Sequence, residues 1–232
     1  MVSDRERIVA LAGTLCSPRI FDPLAARLSA VATVDPVSWM MSPGPWNIPA
    51  VASQVTDRIE ANGSGAVTLI GHSTGGAIAL QLALEHPELV NALVLVGTGP
   101  NMHSHGDVSA IIKSVESSWG PKLFGVILDR SFAAPLDPHT RESFLQYADG
   151  IDPRSALEVL TSQRATDFQD RLSEIACPVV VIHGTEDPTR SVAQAEAFAS
   201  AFRGAQLHFL PCGHSPMYEQ PDATARIIQK LL

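Results

Sequence analysis

Val67-Thr68-Leu69-Ile70-Gly71-His72-Ser73-Thr74-Gly75-Gly76 is the stretch whose reading decides the fold. A short β-favouring run stops at Gly71. A serine follows, flanked by glycines two positions away on each side. An Ala- and Leu-rich stretch then runs from Gly75 to Glu85, apolar almost all round, until His86-Pro87 halts it. This reads as a buried strand, a sharp turn and a buried helix. Glycine belongs at positions 71 and 75 because larger side chains beside so tight a turn would strike neighbouring backbone. Gly76 is small where the helix must pack close.

The same grammar recurs along the chain. Ile8 to Ala12 stops at Gly13, Leu93 to Val96 at Gly97, and Val179 to Ile182 at His183-Gly184. Continuous apolar runs ending in glycine are the mark of strands buried on both faces of a parallel sheet. Val31 to Val34 and Gln206 to Leu210 are weaker strand candidates. Between these runs, Ile48, Val51, Val55 and Ile59 form one helical stripe. Val192, Ala195, Phe198, Ala199 and Phe202 mark another helix, and Ile227, Ile228 and Leu231 the last. Such alternation predicts βαβ crossovers and a doubly wound sheet.

One stretch breaks the rhythm. From Pro100 to about Cys177 only helical patterns appear: Val108 to Ser117, Lys122 to Arg130, Asp137 to Ala148 and Pro153 to Ala165. Roughly 75 residues is too long for a simple connection and implies an inserted helical unit over one end of the sheet. The expected division is a core of residues 1–100 and 176–232 with an insert at 101–175.

Composition narrows the partners. Of 232 residues 45% are hydrophobic and 17% charged, which suits a globular domain with a sizeable core. Lys and Arg number 16 against 24 Asp and Glu, a formal charge of −8. Such a chain repels phosphate backbones and anionic lipid, so nucleic acid and membrane surfaces are not expected partners. Cys16, Cys177 and Cys212 are scattered and read as buried free thiols in a reducing cytosol. The charged residues 1–7 precede an apolar run of only four, too short for a signal peptide or a transmembrane helix, so a cytoplasmic location is expected. Asn62-Gly63-Ser64 matches a glycosylation sequon but reads as a turn.

A serine hydroxyl needs a general base. Gly213-His214-Ser215-Pro216 follows the last strand candidate and precedes the last helix, which makes His214 the candidate base. The other histidines have plainer readings. His72 lies inside the turn, pointing away from the serine; His86 caps a helix; His103 and His105 open the insert. His139 sits in a Pro-flanked turn, His183 ends a strand and His208 lies within one. The base in turn needs an acid. In His183-Gly184-Thr185-Glu186-Asp187-Pro188, Asp187 sits at the carboxyl end of a strand, where catalytic groups of open α/β sheets gather. Glu186 is the competing acid.

Ser73, Asp187 and His214, in that chain order, resemble the α/β-hydrolase family. The elbow GHSTGG, the acid segment VVVIHGTEDP, the histidine loop LPCGHSP and the helical insert match it in order across essentially the whole chain. The resemblance implies an α/β fold: a mostly parallel, doubly wound sheet of about six strands, helices on both faces, a helical lid and no N-terminal hairpin. It further implies that Leu11-Ala12-Gly13-Thr14-Leu15-Cys16 is the oxyanion-hole loop, with the amides of Thr14 and Thr74 as donors. A plain glycine turn is the competing reading of Thr14. Here Ala12 stands where the family usually has histidine; backbone donors survive that change, though whatever orientation the histidine supplies does not. The large apolar residues Met102, Trp119, Phe124 and Phe132 of the insert are candidates for the pocket wall, with lid core as the plainer reading of each.

Gly97-Thr98-Gly99-Pro100 is not a dinucleotide fingerprint, and there is no phosphate loop or HExxH. His103-Ser104-His105 lacks a third metal ligand nearby. A serine at position 73 excludes the family's dehalogenase and epoxide-hydrolase chemistry, which needs a carboxylate there. The expectation is therefore a cofactor-free, metal-free serine hydrolase of small carboxylic esters, acting on a small-molecule acyl substrate. Thioesters, lactones and cofactor-free lyase chemistry are alternatives on the same triad. The sequence is silent on oligomeric state.

Overall fold

The computed structural model describes residues 5–63, 65–103, 105 and 108–232. The first four residues of the charged N-terminus, Ser64 of the sequon and Ser104 of the His-Ser-His segment fall outside that set. Among the described residues six strands form one sheet in the order β2-β1-β3-β4-β5-β6, and every pairing is parallel. They are β1 (Glu6–Leu11), β2 (Ala32–Val37), β3 (Val67–His72), β4 (Val90–Val96), β5 (Val179–Gly184) and β6 (Gln206–Leu210). Around them run α1 (Asp22–Leu28), α2 (Ile48–Ala61), α3 (Thr74–Glu85) and α4 (Val108–Ser117). Then come α5 (Pro121–Asp129), α6 (Pro138–Asp149), α7 (Pro153–Ala165), α8 (Val192–Ser200), α9 (Pro216–Glu219) and α10 (Pro221–Ile228).

The strand interiors are apolar because both faces are covered. Alternate residues of a strand point to opposite sides. Val9, Leu69, Leu93, Leu95 and Val181 join one core with Val51 and Ile59 of α2, Ile78 of α3 and Phe198 of α8. Ile8, Ala10, Ile70, Val94 and Ile182 join the other with Leu24 and Leu28 of α1, Met217 of α9 and Ile228 of α10. β3 and β5 are buried at every position.

The chain winds from β1 outward to β2, then returns past β1 to β3. The loops after β1 and β3 therefore leave the sheet side by side at the point where winding reverses, the usual ligand crevice of such sheets. α3 starts directly beneath that crevice, and Gly75 permits it: a Cβ there would run into the carbonyl oxygen of Leu11. The segment between β4 and β5 carries α4, α5, α6 and α7, close to the helical bounds expected from the sequence. Two short elements, α1 and α9, were not legible beforehand.

Candidate active site

All of the predicted site residues lie just beyond carboxyl ends of parallel strands, which puts them on one edge of the sheet. Thr14 follows β1, Ser73 follows β3, Asp187 follows β5 and His214 follows β6. Thr14, Ser73, Thr74 and His214 line a single cavity of about 370 Å³. Asp187 stands behind His214, its side chain fully buried.

Ser73 holds φ 54° and ψ −120°, a left-handed conformation costly for a residue with a side chain. The turn is held from both directions. The Ser73 amide donates to the Val96 carbonyl at 3.0 Å, and the Thr98 hydroxyl donates to the Ser73 carbonyl at 2.8 Å. Strand β4 and the loop after it thus clamp the elbow that lifts the serine out of the sheet.

His214 Nδ1 lies 2.7 Å from Asp187 Oδ2. The loop beyond the acid adds a residue that sequence reasoning missed. Thr189 donates its hydroxyl to Asp187 Oδ1 at 2.6 Å and its amide to the same oxygen at 2.7 Å. Its hydroxyl oxygen is also 2.8 Å from His214 Nδ1. Nothing about a threonine after proline announces this. Burial pushes the Asp187 carboxyl up, but the hydrogen bond and charge of His214 and the donors of Thr189 outweigh burial. They hold it well below the ordinary carboxylate range. Asp187 is therefore an ionised acceptor at neutral pH, and Glu186 beside it is exposed. No hydrogen bond joins Ser73 Oγ to His214 among the described residues; contacts of this kind often tighten only around a substrate.

The loop after β1 meets the start of α3 through side chains. Thr14 Oγ1 and Thr74 Oγ1 are 2.8 Å apart, and the Thr74 hydroxyl donates to Gln163 Oε1 on α7 at 3.0 Å. No hydrogen bond from either backbone amide is found among the described residues. The neighbouring Leu15 amide is engaged instead, donating to Met40 Sδ at 3.1 Å, and Leu15 has φ 61°.

Two expectations need correcting. His72 does not stand apart from the site. It lines the same cavity, its ring centre lies 4.8 Å from that of His214, and its Nε2 is 3.1 Å from the His214 carbonyl. A carbonyl only accepts, so Nε2 carries the hydrogen and Nδ1 is left as a buried acceptor with no partner among the described residues. Of the four large insert residues weighed between pocket wall and lid core, Met102 lines the cavity and the other three pack away from it. Trp119 and Phe124 pack edge to face against each other at 5.0 Å, and Phe132 packs on Phe144 and Tyr218. The insert gives the apolar wall Met102, Ile111, Val115, Ile127 and Leu160, and Leu15 joins them from the loop after β1. The three cysteines are free, but only Cys212 is buried; Cys16 and Cys177 are half-buried.

The buried histidines set a pH limit on the fold. Burial and the nearby His214 push His72 down to about 3; burial pushes His105 down to about 4 and lowers His183. In the unfolded chain a histidine titrates near 6.5. As pH falls below that value, the unfolded state takes up protons that the folded state refuses, so acidification favours unfolding. His72 alone removes about 2 kcal/mol between pH 7 and pH 5. Asp187, shifted down, adds its loss only below about pH 4, where unfolded carboxylates protonate. Melting followed by circular dichroism should show Tm falling by about 5 °C or more from pH 7 to pH 5. An unchanged Tm over that range would contradict the neutral, buried state of His72.

The chain belongs to the alpha/beta hydrolase family, whose model matches residues 8–227. Among known proteins it is similar to 2-hydroxy-6-oxo-6-(2'-aminophenyl)hexa-2,4-dienoic acid hydrolase of Metapseudomonas resinovorans. The two are 28% identical over an alignment of 183 positions that covers 72% of this chain and 60% of that protein. Among solved structures, the esterase EaEST from Exiguobacterium antarcticum aligns with a TM-score of 0.89 at 20% identity, covering 97% of this chain and 91% of that one. The enol-lactonase from Burkholderia xenovorans LB400 aligns with a TM-score of 0.84 at 20% identity, covering 99% and 92%. At these identities the two structures establish a shared fold. No helix among the described residues is long and apolar enough to cross a membrane.

Proposed function

We propose that this chain is a serine hydrolase that cleaves small carboxylic esters through an acyl-enzyme. The observation that carries the reading is the 2.7 Å pairing of His214 with the buried, ionised Asp187 in the cavity lined by Ser73. His214 takes the Ser73 proton as Oγ attacks the ester carbonyl, and the amides of Thr14 and Thr74 hold the oxyanion. His214 then protonates the departing alcohol. Water, deprotonated by the same imidazole, releases the acid and restores Ser73. Asp187 keeps the proton on Nδ1 so that Nε2 is free as base. No metal or cofactor enters these steps.

The insert of residues 101–175 acts as a lid, since its side chains supply most of the apolar wall of the cavity. The same machinery would open lactones and thioesters. Unpaired cysteines support a reducing, cytoplasmic setting.

A panel of p-nitrophenyl esters and acyl thioesters of graded chain length tests the reading. A burst of one p-nitrophenolate per enzyme, with short acyl chains preferred, is the expected result. Turnover without any burst, under conditions where deacylation is slow, would remove the acyl-enzyme. Thr189 provides a finer check. Thr189→Val should lower kcat about tenfold, the worth of one hydrogen bond to a charged group, while Thr189→Ser should keep most activity. Undiminished kcat in Thr189→Val would strip the residue of its positioning role.

A further inference from the structure

The cavity holds a cation that the chemistry above does not use. Arg190 lines it and is 7% exposed. Its Nη2 donates to the Asn101 carbonyl at 2.8 Å, the one side-chain hydrogen bond found for it among the described residues. A guanidinium has five N–H donors, so most of its capacity is unspent. No carboxylate pairs with it among the described residues. Asp187, whose charge acts on it, has both oxygens engaged: Oδ2 by His214, Oδ1 by Thr189 and by the Arg190 amide. Burying a charge without a partner is costly, and a fold retains such a group where a ligand completes it.

The backbone is shaped to admit the group. A Cβ on Gly99 would strike Nη1 and come within 2.8 Å of Cζ, so the guanidinium rests directly on main chain. Arg130, exposed, lines the same cavity, and no Asp or Glu does among the described residues. In a chain of formal charge −8 this cavity inverts the local sign and concentrates anions.

We propose that Arg190 anchors an anion subsite in the active-site cavity, and that the substrate is an ester or lactone bearing a carboxylate away from the bond that is cleaved. The planar guanidinium fork matches a carboxylate in two parallel hydrogen bonds. One buried cation balances one charge, whereas a dianionic phosphate would bring a second charge without a buried partner. Arg190 lies three residues beyond Asp187 on one loop, so the substrate anchor and the support of the base are built together. Binding at the remote carboxylate fixes the ester carbonyl over Ser73. The inference rests on the hydrolase reading.

The test compares monomethyl succinate, glutarate and adipate with the corresponding dimethyl esters, following methanol release at pH 7. The wild type should prefer at least one monoester anion by about 10- to 100-fold in kcat/KM, most of it in KM. Arg190→Met should collapse that ratio, and Arg190→Lys should restore part of it as a point charge. A merely structural Arg190 would lower both rates together and leave the ratio alone, which overturns the proposal. Because Arg190→Met can fail to fold, the wild-type ratio decides independently. If no monoester is turned over faster than its diester, the anion subsite is wrong. A Ser73-dependent burst with p-nitrophenyl acetate would then keep the hydrolase reading standing, and its absence would remove that reading as well.

Discussion

Replacing Ser73 with alanine should lower kcat by roughly four to six orders of magnitude, and adding Asp187→Asn should cost almost nothing further. Once the nucleophile is gone, the base it served has no proton to take, so its supports lose their purpose together. Asp187→Asn alone should cost about 10⁴, somewhat less than the serine, because the nucleophile survives with its base in the wrong tautomer. The structure gives this substitution a particular severity. Asp187 Oδ1 accepts from the hydroxyl and amide of Thr189, and Oδ2 pairs with His214 Nδ1. An amide in its place must turn an N–H toward one of these groups. Steady-state kinetics on p-nitrophenyl acetate, with melting curves to show each variant folded, measure both losses. Multiplying losses in the double variant would mean that the residues do not act as a unit.

Thr14→Pro should lower kcat by about 10²–10³, the usual loss for one oxyanion donor, because proline has no N–H. Thr14→Ala keeps the amide and should retain most activity. Its cost is the hydroxyl link to Thr74, part of a chain that runs on to Gln163 of α7. The Leu15 amide is the natural substitute donor, but it is already given to Met40 Sδ, so little rescue is expected. Proline also restricts Gly13, so the melting curve of the variant comes first. Near-normal turnover in a folded Thr14→Pro protein would place the hole elsewhere. Equal damage from Thr14→Ala would make the hydroxyl the working group.

Much of the fold was legible because it depends on local constraints. Strands buried on both faces must be apolar throughout, and β3 and β5 are. The insert helices announced themselves by their flanking Pro and Gly and by their periodicity. α1 did not, because seven residues entered from a 3-10 turn bury only Leu24 and Leu28, too few to show a period. Size and apolarity marked Trp119, Phe124 and Phe132 as buried, but such residues pack equally well into the insert or against the core. Which of them faces the cavity depends on how the helices settle.

The site divides in the same way. The glycines around Ser73, the chain order of Ser73, Asp187 and His214, and the chemical type of each group were carried by the sequence, since a strained turn and a proton relay each demand particular residues. The placement of Thr189, Arg190 and His72 was decided by the tertiary structure. Thr189 and Arg190 follow Asp187 in an unremarkable loop, and His72 occupies the variable position of its turn. They acquire their partners only when parallel strands bring the ends of β3, β5 and β6 to one edge. There the loops touch, the groups are largely buried, and a hydroxyl, a guanidinium and an imidazole must find their hydrogen bonds in one another or in a ligand.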